Sequence, residues 1–175
     1  MRGTFVAALL LTVLTGSSPL WSVPARAQDD ACGQISWSVG HEIDLFADGF
    51  LPVVDNALSL PKEGVFALRL KPGSDVIYPV TPERGRDGSY GGLVTIERIP
   101  AGLYQIILSE EAWVDAVQDG VRLPVRAFSR IRDCPGVRQS VQFDVAGEPL
   151  TLQISGASAH RVNIAVMRVW PWPVR

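Results

Sequence analysis

The sequence predicts an all-β fold, a single antiparallel β-sandwich of the jelly-roll or Ig-like kind, tied by one disulfide. Short runs of alternating or β-rich residues recur along the chain. Clusters of Gly, Pro, Asp and Ser separate them at the spacing of about 8–12 residues typical of sandwiches and barrels. No stretch keeps a helical apolar period over three turns. The chain also contains a single pair of cysteines, Cys32 and Cys134.

Length and composition narrow the class of protein. The chain has 175 residues, of which 47% are hydrophobic and 19% charged, and its formal net charge is −2. This composition indicates one globular domain and excludes a disordered or collagen-like polymer. A strongly basic nucleic-acid binder needs a clustered excess of Lys and Arg, so we expect no nucleic-acid partner. No motif points to a cofactor, and we expect none.

The N-terminus has the parts of a secretory signal peptide. Arg2 precedes the apolar run Phe5–Leu14, and the sequence Ala-Arg-Ala at 25–27 follows. A basic start, a short apolar run and an A-x-A site are the features of such a leader. The run is too short to span a bilayer, which takes about 20 residues. We therefore expect residues 1–27 to be a signal peptide, residues 28–175 to form one periplasmic or secreted domain, and no membrane span.

Export makes the cysteine pair informative. An oxidising compartment favours a bond between Cys32 and Cys134, which would close a loop of about 100 residues. No C-x-x-C spacing is present, so neither a redox nor a metal role is expected. The predicted bridge ties the start of the mature chain to the latter half of the domain.

The predicted strands follow from alternation and from β-branched or aromatic content. The best helix candidate is Pro52–Leu58. The strands are predicted at Ile35–Val39, Glu42–Phe46, Val65–Leu70, Asp75–Val80, Leu93–Ile99, Leu103–Leu108, Trp113–Val117, Arg122–Phe128, Ser140–Val145, Leu150–Ser155 and Val162–Val169.

The clearest local signal is Asp119-Gly120, which favours a two-residue type I′ hairpin turn. Pro124 cannot donate to a strand ladder, so its strand is expected at an edge. One face of the hairpin is then apolar, and Ala112 and Val125 should both be buried. The expected cross-strand pairs are Gln118 with Val121, Val117 with Arg122, Asp115 with Pro124, and Trp113 with Arg126.

The other hairpin face is the first candidate binding surface. Trp113 opposite Arg126 allows guanidinium stacking, and Asp115 lies on the same face. Aromatic and charged groups on a sheet can bind a sugar or a partner protein. Cross-strand Trp–Arg pairs also simply stabilise sheets, so the structural interpretation stays open beside the binding one.

The sequence also predicts a second hairpin and one long loop. A second hairpin is expected between 141–145 and 150–154, turning through 146–149. The segment Thr81–Gly92 has no apolar pattern and is rich in Gly, which predicts an exposed loop. Long loops of this kind are often functional. The loop is therefore the second candidate binding surface, with Arg84, Arg86 and Tyr90.

Catalytic and metal-binding patterns are absent from the sequence. No G-x-S-x-G elbow occurs, and a Ser158–His160 dyad has no spacing rule to support it. On a strand, His41 to Asp44 would point to alternate faces and could not gather the three ligands of a catalytic zinc site. Glu111 and Asp115 on one strand would be about 13 Å apart, too far for a glycosidase pair. We therefore expect no catalytic residue and no metal.

The C-terminal tail, 170–175, contains Trp-Pro-Trp-Pro. Each Pro restrains itself and the residue before it, so the tail should be extended. Its two indoles would either cover a sandwich edge or form an exposed recognition stripe for a partner or the membrane interface.

Two parts of the sequence together carry a resemblance to known proteins. Ala101–Ser109 runs into Ala112–Asp115, and Cys134–Phe143 is followed by Leu152–Gly156. This combination resembles small exported bacterial proteins of uncharacterised function. The strand with Gly102 and Tyr104, followed by the Trp113 strand, is more loosely similar to pre-peptidase C-terminal β-sandwiches, which are accessory domains of secreted enzymes. No enzyme domain accompanies it here, so the resemblance implies only a non-catalytic sandwich.

The sequence thus predicts a non-enzymatic binding or accessory module, periplasmic or secreted, whose partner is an envelope protein or a glycan. Trp113, Asp115 and Arg126 would meet that partner. The first alternative is a small exported hydrolase assembled from distant residues such as Glu42, Asp44 and His160. The second is a purely structural envelope component held through the tail tryptophans.

Overall fold

The computed structural model describes Cys32, Trp37 and residues 40–47, 49–85, 87–130, 134–147 and 149–169. Two β-sheets face each other across an apolar core, which confirms the all-β sandwich. A short helix, α1 (Gly40–Ala47), precedes the strands, and a 3-10 turn occupies Gly73–Asp75. The strands are β1 (Val53–Val54), β2 (Leu58–Lys62), β3 (Val65–Arg69), β4 (Lys71–Pro72), β5 (Tyr90–Arg98), β6 (Gly102–Leu108), β7 (Trp113–Gln118), β8 (Val121–Arg122), β9 (Val125–Arg130), β10 (Gln139–Val145), β11 (Leu150–Ala157) and β12 (Arg161–Arg168).

Each sheet has six strands among the described residues. The first has the order β1-β3-β12-β6-β10-β9. The second has the order β2-β5-β11-β7-β8, with β4 also paired to β5. The pairs β1–β3 and β2–β5 are parallel, and the other pairs are antiparallel. The antiparallel prediction therefore describes the centre of both sheets, while these two short strands at their edges depart from it.

The core follows from strand pleating, which sends alternate side chains to opposite faces. Ala112, Val114 and Ala116 are buried between the sheets, as the hairpin pattern predicts. The alternating apolar residues of three further strands are buried in the same core. These are Val141, Phe143 and Val145, then Leu150, Leu152 and Ile154, then Val162, Ile164 and Val166.

The second predicted hairpin is wrong. β10 pairs with β6 and β9 in the first sheet, whereas β11 pairs with β5 and β7 in the second. Residues 146–149 therefore carry the chain from one sheet to the other. Both strands have one apolar face, and that face is buried against the opposing sheet whichever of the two sheets the strand joins. Alternation alone does not distinguish these arrangements.

The Asp119-Gly120 hairpin is confirmed only next to its turn. Both turn residues have positive φ, 49° and 73°, and Gln118 pairs with Val121 and Val117 with Arg122. β8 ends at Arg122, and the chain then crosses through Leu123 and Pro124 to β9 in the first sheet. β8 and β9 each lie at the end of a sheet, as expected for a segment with a proline that cannot donate to a ladder.

This crossing overturns two of the predicted pairs. Asp115 does not face Pro124, and Trp113 does not face Arg126, because neither Pro124 nor Arg126 lies in the second sheet. Ala112 is buried as predicted, but Val125 is 39% exposed rather than buried. The predicted face of Val125 requires the hairpin ladder to continue to that residue, whereas its last hydrogen bond to β7 is from the Leu123 N–H to the Ala116 carbonyl.

Residues Glu42–Phe46, predicted as a strand, belong to helix α1. The helix packs on the outer face of the first sheet, where Phe46 and Ile43 join a cluster with Ile107 and Ala165. Residues three apart lie on one side of a helix, so this short segment buries both side chains without three turns of periodicity. Glu42 also lies in the helix and is buried.

The predicted disulfide between Cys32 and Cys134 is present and closes a separation of 102 residues. It lies in the same cluster as α1, and Trp37 donates from Nε1 to the Ser140 hydroxyl at 2.9 Å. The N-terminal segment is thereby fastened to the outer face of the first sheet.

The remaining differences between the predicted elements and the structure concern short segments. Pro52–Leu58 contains strand β1 and a turn instead of a helix, and Asp75–Val80 forms no strand after the 3-10 turn. Most of Ile35–Val39, the signal peptide 1–27 and the tail 170–175 lie outside the described residues. No helix among the described residues is long and apolar enough to cross a membrane.

Candidate binding site

The segment after the 3-10 turn crosses the outer face of the second sheet, and we call residues 76–85 and 87–89 the strap. Two prolines and two glycines interrupt the described part of this segment, which therefore forms no strand of its own. Its backbone groups need other partners, because buried N–H and C=O groups are almost always paired. Polar side chains of β7 and β11 supply them.

Strand β11 holds the strap at three points. Gln153 accepts from the Val80 N–H at 3.1 Å and donates to the Val80 carbonyl at 2.9 Å. The Ser155 hydroxyl donates to the Arg84 carbonyl at 2.6 Å. The Tyr78 hydroxyl donates to the Ile154 carbonyl at 2.8 Å. The strap therefore lies against the outer face of β11 and is hydrogen-bonded to it.

Gly91 allows Tyr78 to approach the sheet this closely. A Cβ atom at position 91 would collide with the Tyr78 hydroxyl and would lie 2.8 Å from the Ile154 carbonyl oxygen. Burial raises the pKa of the Tyr78 hydroxyl above its ordinary value, and the negative charge of Asp115 raises it further. The hydroxyl is accordingly a neutral donor over the physiological range.

Strand β7 holds the strap through Asp115, which is only 2% exposed. Its carboxylate accepts from the Glu83 N–H at 3.1 Å and from the Trp113 indole N–H at 2.9 Å. It also forms an ion pair with Arg122 at 3.2 Å, and Arg122 in turn donates to the Thr81 carbonyl. Asp115 is therefore an internal anchor between strap and sheet, and its oxygens are engaged by groups of the protein.

Aromatic rings and guanidinium groups form a continuous row beside the strap. The Arg84 guanidinium carbon lies 4.6 Å from the centre of the Trp113 ring, and the ring centres of Trp113 and Phe128 are 6.2 Å apart. The Arg130 guanidinium lies 5.9 Å from the Phe128 ring. We call Arg84, Trp113, Phe128 and Arg130 the cation–π row. It joins the two sheets, because Trp113 belongs to β7 and Phe128 to β9.

Three members of the cation–π row, Arg84, Trp113 and Arg130, line a recess of about 200 Å³. Glu111, Ser155 and Gly156 also line it. Trp113 is half-buried here, while both arginines and Glu111 are exposed. The recess therefore presents an indole, two cations and one carboxylate to solvent.

A larger cleft of about 580 Å³ adjoins the recess. The two share Gly85, Ser155 and Gly156 as lining residues. At this point the pairing of β11 with β5 shifts register between Ile154 and Ala157, and bulges of this kind are common next to binding sites. Tyr78, Tyr90 and Asp87 line the cleft, and its other lining residues are glycines, serines and prolines.

The structure brings together four of the six binding residues expected from the sequence. Trp113 and Arg84 line the recess, Asp115 anchors the strap below them, and Tyr90 lines the adjoining cleft. Arg126 is separate, because it pairs with Asp144 of the first sheet at 2.8 Å. Arg86 lies outside the described residues.

The expected stacking of Trp113 on Arg126 is therefore wrong, and Arg84 from the strap takes that place. The sequence interpretation also missed Arg130, whose approach to the row depends on the crossing to β9. Pro124 was the available signal for that crossing, since it ends the ladder of β8 before Arg126 is reached.

The residues of the alternative hydrolase are not gathered. Glu42 and Asp44 lie on α1, which packs on the first sheet, whereas His160 is exposed beside the ring of Tyr90 in the second. The described part of the chain holds no group of three or more His, Cys, Asp or Glu side chains placed to bind a metal.

Fold and site together define a class of protein: a disulfide-tied β-sandwich whose second sheet carries a polar strap beside an aromatic, cationic recess. No family model, curated protein or solved structure matches the chain. The resemblance to small exported proteins and to pre-peptidase C-terminal domains stays a prediction.

Proposed function

We propose that the protein is a non-enzymatic exported binding module and that its ligand is a glycan. The observation that carries this proposal is the pair of adjoining depressions beside the strap, with Trp113 in one and Tyr90 in the other. Ligand sites combine aromatic surface with a few polar groups that fix orientation, and their usual size is about 300–1,000 Å³. The two depressions together have this character.

The shape of the site favours an extended saccharide over a compact ligand. The recess and the cleft meet at Gly85, Ser155 and Gly156, so a chain of sugar units can pass from one to the other. Small residues at the junction allow a ligand to lie close to the backbone. Tyr90 in the cleft carries a hydroxyl that suits hydrogen bonding with sugar hydroxyls, whereas the hydroxyls of Tyr78 and Ser155 already donate to carbonyls of the protein.

The strap favours binding because it is held in place before a ligand arrives. Asp115, Gln153 and Ser155 fix its backbone, and Arg84, Gly85 and Asp87 of the strap form walls of the two depressions. A preformed site avoids the entropy loss of ordering a loop on binding.

Two observations support export. The leader-like segment 1–27 is one, and the bond between Cys32 and Cys134 is the other, since disulfides persist in oxidising compartments. A periplasmic or secreted location follows from the proposal, and envelope or extracellular saccharides are the glycans available there.

A protein partner from the envelope is the second candidate function, and the edge strand β9 favours it. Among the described residues β9 pairs only with β10, and its Val125 and Phe128 are 39% and 43% exposed. An extended segment of a partner could add to such an edge through main-chain hydrogen bonds.

Binding of the disulfide-intact mature chain to an array of neutral and acidic oligosaccharides tests the proposal. We expect Arg84→Ala and Tyr90→Ala to weaken binding about tenfold or more, since each removes a wall of the site. Arg126→Ala is the matched control, because it removes an exposed arginine that pairs with Asp144 and lines neither depression. Binding of no saccharide, or equal loss in the control, would overturn the proposal. Binding of an envelope protein that Val125→Pro abolishes and Arg84→Ala leaves intact would establish the second candidate instead.

A further inference from the structure

We propose that the 200 Å³ recess binds the acid group of a saccharide, a carboxylate or a phosphate, between Arg84 and Arg130. This inference rests on the proposed function and names the chemical class of its ligand. The acid group would lie at the cation–π row, and neutral sugar units would extend into the adjoining cleft.

The two guanidinium groups of the row have no acidic partner in the part of the chain that the structure describes. Their contacts are with rings, Arg84 on Trp113 and Arg130 on Phe128. Glu111 also lines the recess but forms no ion pair with either arginine, so the recess carries one net positive charge. Three other arginines, by contrast, form ion pairs with aspartates: Arg69 with Asp55, Arg122 with Asp115, and Arg126 with Asp144.

Stacking leaves these guanidinium groups able to bind an anion. A ring covers one face of a planar guanidinium, whereas its five N–H donors point outward in the plane. Those donors match the paired oxygens of a carboxylate or phosphate in a two-point contact. Arg84 and Arg130 therefore retain donor edges for an anion while the rings of Trp113 and Phe128 support them.

Hydrogen bonds to residues of the second sheet also hold the cation–π row in position. The Trp113 indole N–H donates to buried Asp115 at 2.9 Å, which fixes the ring on which Arg84 lies. The Arg84 carbonyl accepts from Ser155 at 2.6 Å, which fixes its backbone. The guanidinium is thus constrained through both its ring contact and its main chain, and a preorganised charge binds with less loss of entropy.

The negative charge in the adjoining cleft indicates which end of the ligand binds where. Asp87 lines the cleft, and a second acid group placed there would be repelled. We therefore expect the acid group at the cation–π row and an uncharged sugar beside Tyr78, Asp87 and Tyr90. A saccharide in which acidic and neutral units alternate fits this arrangement better than a uniformly charged one.

The test compares matched saccharides on the disulfide-intact mature chain. Uronate-containing oligosaccharides are assayed beside the same compounds after reduction of each carboxyl to an alcohol, and phosphosaccharides beside their dephosphorylated forms. We expect the acidic member of one pair to bind about tenfold or more tightly than its neutral counterpart, and its affinity to fall as salt is raised. Which pair responds identifies the source of the acid group.

Variants then locate the effect. Arg84→Gln and Arg130→Gln should each remove most of the preference for the acidic member, so that the ratio of the two affinities falls toward one whatever the change in binding of the neutral member. Arg126→Gln is the matched control and should retain the preference. Both row arginines are exposed, so a thermal melt of each variant should match that of the unmodified protein. Equal binding of acidic and neutral members would overturn this inference and leave the glycan proposal standing. Binding of neither member of any pair would overturn both.

Discussion

The side-chain amide of Gln153 pairs with the backbone of Val80 as a neighbouring strand would. Its oxygen accepts from the Val80 N–H at 3.1 Å, and its nitrogen donates to the Val80 carbonyl at 2.9 Å. Gln153 is fully buried, on a strand whose other face lines the core. One side chain therefore satisfies both polar groups of a backbone segment that has no strand partner of its own.

Replacing this amide should loosen the strap without opening the core. We expect Gln153→Ala to lower the free energy of unfolding by about 2–3 kcal/mol, because it removes two hydrogen bonds and leaves the backbone groups of Val80 unpaired. Urea unfolding measures the loss, and amide hydrogen exchange at Val80 should accelerate. Gln142→Ala is the control, since that side chain makes one long hydrogen bond of 3.4 Å, to Gln105. Equal losses in the two variants would contradict the role given to Gln153.

Asp115 and Asp144 each form an ion pair with an arginine, but only Asp115 is buried. We expect this difference to determine how much each aspartate contributes to the free energy of unfolding. Asp115 is 2% exposed and also accepts from the strap, whereas the side chains of Asp144 and Arg126 are 62% and 59% exposed. We expect Asp115→Ala to cost about 3 kcal/mol, because it leaves Arg122 and two N–H donors without their acceptor. Asp144→Ala should cost less than about 1 kcal/mol, as exposed pairs do.

Limited proteolysis separates the local effect from the global one. Cleavage within the strap should become faster in Asp115→Ala than in Asp144→Ala at a temperature where both are folded. Asp115→Asn keeps one acceptor oxygen and provides a milder variant, with an expected loss of about 1–2 kcal/mol. A strap as resistant in Asp115→Ala as in the unmodified protein would show that β7 does not hold it.

Strand pleating is a local property, and it is the part of this fold that sequence predicts well. The apolar alternation of Val141–Val145 and Leu150–Ile154 correctly identifies which side chains face the core between the sheets, but not that Gln153 on the opposite face is buried as well. It does not identify the sheet to which each strand belongs, because strands of both sheets turn their apolar faces to the same core. The exchange of sheets at Pro124 and at residues 146–149 depends on that non-local choice.

The candidate site was predictable in its parts but not in its assembly. Trp113, Asp115, Arg84 and Tyr90 were each singled out, from an alternating strand and from a Gly-rich loop. That the loop lies on the strand follows from polar side chains such as Gln153 and Ser155 bonding to backbone. Such contacts have no sequence period, so the replacement of Arg126 by Arg84 at Trp113 could not be read from the pattern.

The disulfide should contribute strongly to stability, since it closes a long loop. For a separation of 102 residues, the loss of loop entropy in the unfolded chain corresponds to about 4–5 kcal/mol. We expect the paired substitution Cys32→Ser with Cys134→Ser to lower the melting temperature by about 10–15 °C, measured by calorimetry. Adding a reductant to the unmodified protein should reproduce the shift, and adding it to the variant should change nothing.

The same experiment has a local readout. Trp37 and helix α1 belong to the cluster that the disulfide joins, so their protection from hydrogen exchange should fall more than that of β5 or β11. A uniform loss across the whole molecule would show that the bridge does not act mainly on the N-terminal segment.

Half-buried Tyr78 and fully buried Tyr104 should respond differently to loss of the hydroxyl. The Tyr78 hydroxyl donates to the Ile154 carbonyl, whereas the buried Tyr104 hydroxyl has no hydrogen-bond partner among the described residues. At pH 7 we expect Tyr78→Phe to destabilise the fold by about 1 kcal/mol. Tyr104→Phe should be neutral or stabilising by up to about 1 kcal/mol, because it removes a buried polar group that gains nothing in return.

The dependence of stability on alkaline pH provides a second test of these two tyrosines. Burial raises the pKa of Tyr78 above the ordinary 10.0, with a further rise from Asp115. Burial likewise raises the pKa of Tyr104, where Glu63 raises it further and Arg168 opposes. Below pH 10 both phenols are protonated in the folded and the unfolded chain. Above it the unfolded chain loses these protons first, so the free energy of unfolding falls as pH rises. Urea unfolding between pH 8 and about 11 measures this decrease, and the free energy of unfolding should decrease less steeply with pH in each Phe variant. An equally steep decrease in both variants and the unmodified protein would contradict the raised pKa values.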